Sequence, residues 1–223
     1  MSSDHAPGKG HIRVAGSWVE PTAVRHRSGG TWQDVQEAFV RSGSRWIRWW
    51  PPRAPETVST FNALSSNLWH DYETRWFGWG EQPEQGAHPF GNHRGMWFYG
   101  NRPWGATLDA DGGRQVVKAE IYLTRIAGHL GWGSSGAIRP RLWYHRENSR
   151  PSGRPAFYGG PHLGESLERN QSRWVTLPSG WHRLFENGTL RGVGVLALEG
   201  GPVSAYQGPH HTVSAGRIRL THR

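Results

Sequence analysis

The stretch Val117-Lys118-Ala119-Glu120-Ile121-Tyr122-Leu123-Thr124-Arg125 sets Ala119, Ile121 and Leu123 on one side of the chain and Lys118, Glu120 and Tyr122 on the other. A period of two residues is that of a β-strand with one face buried. Working outward, residues 96–99, 141–145, 156–158, 173–177, 192–198 and 216–221 read as further short strands, separated by glycine and proline turns. With no sustained helical period between them, they predict a mainly β body, an antiparallel β-sandwich of jelly-roll type. A short helical turn is expected within residues 61–70. Residues 77–105, dense in Gly, Trp, His and Pro and with little periodicity, read as a functional loop, since their aromatic content argues against disorder.

A second pattern occupies the first fifty residues. Trp18, Trp32 and Trp46 fall fourteen residues apart, after the turns Gly16-Ser17, Gly30-Thr31 and Gly43-Ser44-Arg45. The last two turns open alike, with Arg27-Ser28-Gly29 and Arg41-Ser42-Gly43. Fourteen residues hold two strands of about five residues and a tight turn, so the unit reads as a β-hairpin with one tryptophan anchor. A lone hairpin is marginal in water, and the repeats therefore need a partner surface. In residues 46–50, Trp46 and Trp50 share one face while Ile47 and Trp49 share the other, which calls for cover on both sides. Pro51-Pro52-Arg53-Ala54-Pro55 then interrupts pairing. The expected organisation is a flexible arm at 1–10, a Gly-x-Trp hairpin-repeat module for attachment or oligomerisation at 11–50, a proline-rich linker at 51–56 and the sandwich body at 57–223.

Composition narrows the function classes. Gly 31, Pro 15 and Trp 14 favour many short strands and turns over long helices. Cysteine is absent, which removes disulfide frameworks and thiolate metal sites. No apolar run approaches the length of a membrane span, and the amino-terminal residues lack the apolar core of a signal peptide, so a soluble chain is expected. The net charge is +9, and only Lys9 and Lys118 are lysines. The arginines are scattered rather than clustered, so a nucleic-acid partner is not expected, although a net positive chain is drawn to anionic polymers, cell-wall glycans or nucleic acid among them.

Catalytic and metal signatures are lacking. None of the thirteen histidines sits in a His-Glu-x-x-His pattern, and no Gly-x-Ser-x-Gly elbow occurs. Asp109-Ala110-Asp111-Gly112-Gly113 with Glu120 has only a faint likeness to a calcium loop; Arg114, Gln115 and Val117 replace the later oxygen ligands, so it reads as a turn. No catalytic residue, metal site or cofactor is expected. Among the tryptophans, Trp143 and Trp174 lie in strand-like runs and are expected in the core. Trp76, Trp79 and Trp132 sit among turn residues, where rings stack on sugars, and with Arg75 they form the candidate glycan-binding set.

The Gly-x-Trp repeat with its Arg-Ser-Gly turns resembles the short modules of minor tail proteins from long-tailed phages of high-GC Gram-positive bacteria, the actinobacteriophage type. Gly95-Met96-Trp97-Phe98-Tyr99-Gly100, the strand at 117–125, Val175-Thr176-Leu177-Pro178 with Trp181, and Gly192-Val193-Gly194-Val195 resemble the β-sandwich region of the same proteins. The resemblance covers most of residues 11–223 and carries over no catalytic residue. It implies a structural virion protein near the tail tip, with other tail proteins as partners, a homo-oligomer with a trimer favoured, and contact with a host cell-wall glycan. A stand-alone carbohydrate-binding module or lectin is the alternative, and a glycan-degrading enzyme a more distant one.

Overall fold

The computed structural model describes residues 12–14, 17–19, 23–35, 38–42, 44–50, 56–76, 82–88, 91–101, 103–109, 115–126, 136–196, 204–206 and 215–223. The expected arm at 1–10, the prolines at 51–55 and residues 110–114 of the acidic turn lie outside them. The chain divides into two compact units, Met1–Pro55 and Glu56–Arg223.

Among its described residues the first unit holds three antiparallel hairpins, each a two-stranded sheet of its own. Strand β1 (Ile12–Val14) pairs with β2 (Ser17–Val19), β3 (Arg25–Ser28) with β4 (Thr31–Asp34), and β5 (Ala38–Ser42) with β6 (Arg45–Trp50). The β3–β4 turn needs left-handed backbone at two successive residues, and Gly29 and Gly30 supply it with φ of +58° and +84°. Trp18, Trp32 and Trp46 each stand second in the second strand of a hairpin. Their register partners are Arg13, Arg27 and Arg41.

The second unit is mainly β. Its strands are β7 (Thr57–Phe61), β8 (Ser65–His70), β9 (Arg75–Trp76), β10 (Glu84–His88), β11 (Gly91–Phe98), β12 (Val116–Ile126), β13 (Arg141–His145), β14 (Tyr158–Leu163), β15 (Ser172–Thr176), β16 (Gly192–Leu196), β17 (Ser204–Tyr206) and β18 (Ile218–His222). All their pairings are antiparallel, in the order β14-β13-β16-β11-β10-β17-β12-β18-β7. Strand β15 also lies against β12, and β8 lies against β11 and β9. The result is one large curled sheet. Ala119, Ile121 and Leu123 of β12, with Val175, Ile218 and Leu220 beside them, share a core with Trp97, Leu142, Val193 and Val195 from the β11–β16–β13 part. Two short helices, α1 (Gly105–Asp109) and α2 (His182–Glu186), close it by packing Trp104 edge-on to Phe185 with centroids 4.9 Å apart. No helix among the described residues is long and apolar enough to cross a membrane.

The alternation read at 117–125 is the burial pattern of β12, with Ala119, Ile121 and Leu123 fully buried. On the opposite face Glu120 is also covered, held by Lys118 Nζ at 3.0 Å and Arg219 Nη2 at 2.7 Å. Three readings need correction. The helical turn expected within 61–70 is absent, because β7 runs to Phe61 and β8 starts at Ser65. Strand β8 is buried on both faces and its backbone is satisfied by a six-residue ladder with β11, so its side chains show no alternation. For the same reason residues 77–105 are not one aromatic loop; they contain β10 and β11, and Trp97, Phe98, Tyr99 and Trp104 are core residues. Residues 77–81, 89–90 and 102 lie outside the described residues. Gly95 shows how tightly β11 is enclosed, since a Cβ there would lie 2.5 Å from the Glu84 backbone nitrogen and 2.6 Å from Pro83 Cα. Finally, Trp143 and Trp174 are only half-buried. Trp174 is paired in register with Tyr122, which puts it on the face opposite Ile121, where Arg219 stacks over the ring at 4.2 Å.

Candidate functional site

The side chains of β8 and β11 border an open cavity of about 270 Å³, lined by Ser65, Ser66, Asn67, Phe98, Ser149 and Arg150. Its size is just below the roughly 300–1,000 Å³ of small-molecule clefts. Its floor comes from the β8–β11 ladder, in which Phe98 is opposite Ser65, Trp97 opposite Ser66 and Met96 opposite Asn67. Asn67 Oδ1 accepts the Leu68 backbone N–H at 2.9 Å, which sets the orientation of the amide.

The opposing wall belongs to the segment after β13, and four hydrogen bonds fix it. His145 is fully buried; its Nε2 donates to the Trp97 carbonyl at 3.0 Å and its Nδ1 accepts the Glu147 N–H at 3.3 Å, which defines the neutral Nε2–H tautomer. Burial drives the His145 pKa down to about 4. Arg191 donates to Asn148 Oδ1 at 2.6 Å, and the Trp76 indole N–H donates to the Pro151 carbonyl at 2.7 Å. Ser149 and Arg150 stand between these anchors.

Trp76 from the expected glycan-binding set is therefore a half-buried strut of the cavity. Its ring lies edge-on to Trp69 at 5.4 Å and to Phe98 at 6.2 Å. Arg75 beside it is exposed, with Nε 2.6 Å from Glu73 Oε2. Trp79 and Trp132 lie outside the described residues. Replacing Trp76 with Ala removes ring packing and the anchor of Pro151 together, so the body should lose about 2 kcal/mol in chemical denaturation. Arg75→Ala, which breaks an exposed pair, should change stability by less than about 0.5 kcal/mol. Equal losses for the two variants would contradict the role of the ring.

At the far end of β8, Asp71 takes Arg94 Nε at 2.7 Å and Arg154 Nε at 3.1 Å. Burial alone would raise its pKa, but the hydrogen bonds from the two arginines prevail and hold the carboxyl below its ordinary value. Next to it, His93 Nδ1 lies 2.8 Å from the buried Glu84 Oε2, and the His70 ring lies 4.9 Å from that of His93. This network ties β8, β10 and β11 together. Among the described residues no group of three or more His, Asp or Glu side chains is placed to hold a metal ion.

The cavity offers hydroxyl, amide and guanidinium groups around an aromatic floor, and among the described residues its lining contains no carboxylate. Such a set can hydrogen-bond a polyhydroxylated ligand of about monosaccharide size and pair with one anionic group; it does not supply the two carboxylates used by most glycosidases. Ser65, Ser66, Asn67, Phe98, Ser149 and Arg150 were not singled out in the sequence, because they come from three segments whose proximity is a product of the β8–β11 pairing and of the Trp76 anchor. The run Ser65-Ser66-Asn67 just before Leu68-Trp69 is the local trace they leave. Compared with protein-family models and with curated proteins, the chain matches none.

Proposed function

We propose that the chain is a non-enzymatic structural protein of a phage tail tip, in which a Gly-x-Trp hairpin module attaches or oligomerises and a jelly-roll-like sandwich body contributes to the adsorption apparatus. The supporting observation is that three hairpins repeat at fourteen-residue spacing with a tryptophan at the same strand position. Small two-stranded sheets bury too little surface to stand alone, and in a tail the neighbouring copies supply what is missing. For the body, the sandwich reading is supported by the β12–β15–β18 and β11–β16–β13 parts of the sheet, whose inner side chains share one core. Residues of the tail-protein resemblance fall on this framework: Val117 to Arg125 within β12, Gly192 to Val195 within β16.

A trimer is the favoured state. Light scattering of the full chain at micromolar concentration should give about three times the 25.1 kDa chain mass. A monodisperse monomer counts against the module as an oligomerisation element. The second reading, a carbohydrate-binding module, draws on the polar cavity between Asn67 and Arg150; it predicts a monomer that binds glycan and is missing from virions.

A further inference from the structure

Strand β8 opens with polar side chains, although it is covered on both faces. Ser65 and Asn67 project from one face of β8, and their register partners Phe98 and Met96 project from the same face of β11. Asn67 is only 9% exposed. Its Oδ1 accepts the Leu68 backbone N–H at 2.9 Å, which rules out the flipped amide, since that would set nitrogen against an N–H donor. The Nδ2 nitrogen has no partner among the described residues, and because Asn67 lines the cavity of about 270 Å³, its two N–H groups are left for an occupant. A nearly buried donor without an acceptor is costly, and a ligand that accepts from it recovers that cost.

The opposite wall supplies a cation. Ser149 and Arg150 are exposed, and the chain is tied down on either side of them, at Asn148 by Arg191 and at Pro151 by Trp76. Neighbouring arginines are engaged: Arg146 lies over the Tyr158 ring at 4.5 Å, Arg191 holds Asn148 and Arg154 holds Asp71. Arg150 has no carboxylate or ring partner among the described residues. What remains of Asn67 and Arg150 can only donate, and Ser65 and Ser149 can donate as well. Four donors and an unpaired positive charge around one opening are complementary to an oxyanion. The guanidinium fork takes a carboxylate or a phosphate in two parallel bonds. A water takes up about 30 Å³, so the cavity has room for more than a bare oxyanion. The serine hydroxyls, which both donate and accept, suit the hydroxyls of a sugar.

We propose that this cavity binds one anionic monosaccharide unit, with its carboxylate or phosphate held by Arg150 and the Asn67 amide and its hydroxyls by Ser65 and Ser149. The proposal deepens the glycan-contact part of the tail-tip reading, and rests on that reading only for a host cell wall as the source of the sugar.

The test is titration calorimetry on the full chain with galacturonate and glucose 1-phosphate as probes, and glucose and inorganic phosphate as controls. At least one of the two acids should bind about tenfold or more tightly than both controls, with an affinity that falls as salt rises. The tighter acid identifies the anionic group. Arg150→Gln should weaken its binding by about tenfold or more. Arg146→Gln removes the same charge outside the cavity lining and should leave the affinity within about twofold. Asn67→Asp keeps an oxygen for the Leu68 N–H and replaces the cavity donor with an anion, so it should abolish binding while the chain still melts cooperatively. If that variant does not fold, the two arginine variants decide. No binding of either acid, a control that matches the better acid, equal losses in the two arginine variants, or full affinity in a folded Asn67→Asp overturns the proposal. Virion content is read separately by mass spectrometry of particles; absence from virions with acid binding retained sinks the tail-tip reading and not this site.

Discussion

Trp104→Ala should destabilise the body by about 3–5 kcal/mol, the range for large aromatic truncations in a packed core. The ring is fully buried and donates its indole N–H to the Leu190 carbonyl at 2.9 Å. It meets Phe61 edge-on at 5.8 Å, Phe185 at 4.9 Å and Tyr99 at 5.4 Å. Truncation thus opens a cavity at the point where α1, α2 and β7 come together, and it leaves a buried carbonyl without its donor. Urea denaturation of the variant and of Val58→Ala, an exposed position, separates core loss from general fragility. The Val58 variant should stay within about 0.5 kcal/mol of the parent. If Trp104→Ala does the same, the core assignment fails.

The second large effect is acid lability through His145. Its folded pKa is depressed to about 4 from an ordinary 6.5, so the neutral ring stabilises the fold fully above pH 6.5. That stability is lost as pH falls from 6.5 through 4, because the unfolded chain takes up the proton first. The shift corresponds to about 3 kcal/mol. Asp71 acts in the same direction lower down: its depressed pKa contributes stability above the ordinary carboxylate value near 3.8 that is lost below it. His145→Gln keeps an N–H donor for the Trp97 carbonyl but does not titrate, so its melting temperature should change much less between pH 6.5 and 4. An unchanged slope would show that another group drives the transition.

These two residues also mark what can be read from sequence. Strand β12 was legible because one of its faces is covered by the core and the other is polar, so burial and alternation coincide. Strand β13 was legible as a run bounded by Pro140 and polar residues. Strand β8 and the first half of β11 are not, since neighbours cover both faces and hydrophobicity then carries no period; the sequence suggests a helical turn and an aromatic loop there, and only residues 96–99 at the end of β11 read as a strand. Trp76 sits among turn residues in the sequence, and its hydrogen bond to the Pro151 carbonyl, 75 residues away, is a long-range property that no local pattern encodes. The hairpins show the opposite case. Their spacing, glycine turns and tryptophan positions are local properties, and the Arg–Trp opposition follows once the two-residue turns set the register.

The function proposed above makes this chain a tail component of a virion. Mass spectrometry of purified particles from a phage whose genome carries the sequence, with immunogold labelling to place the protein, tests it most directly. Peptides from both units, a copy number that is a multiple of three, and label at the tail tip are expected. Particles that are infective and contain no copy of the chain would contradict it.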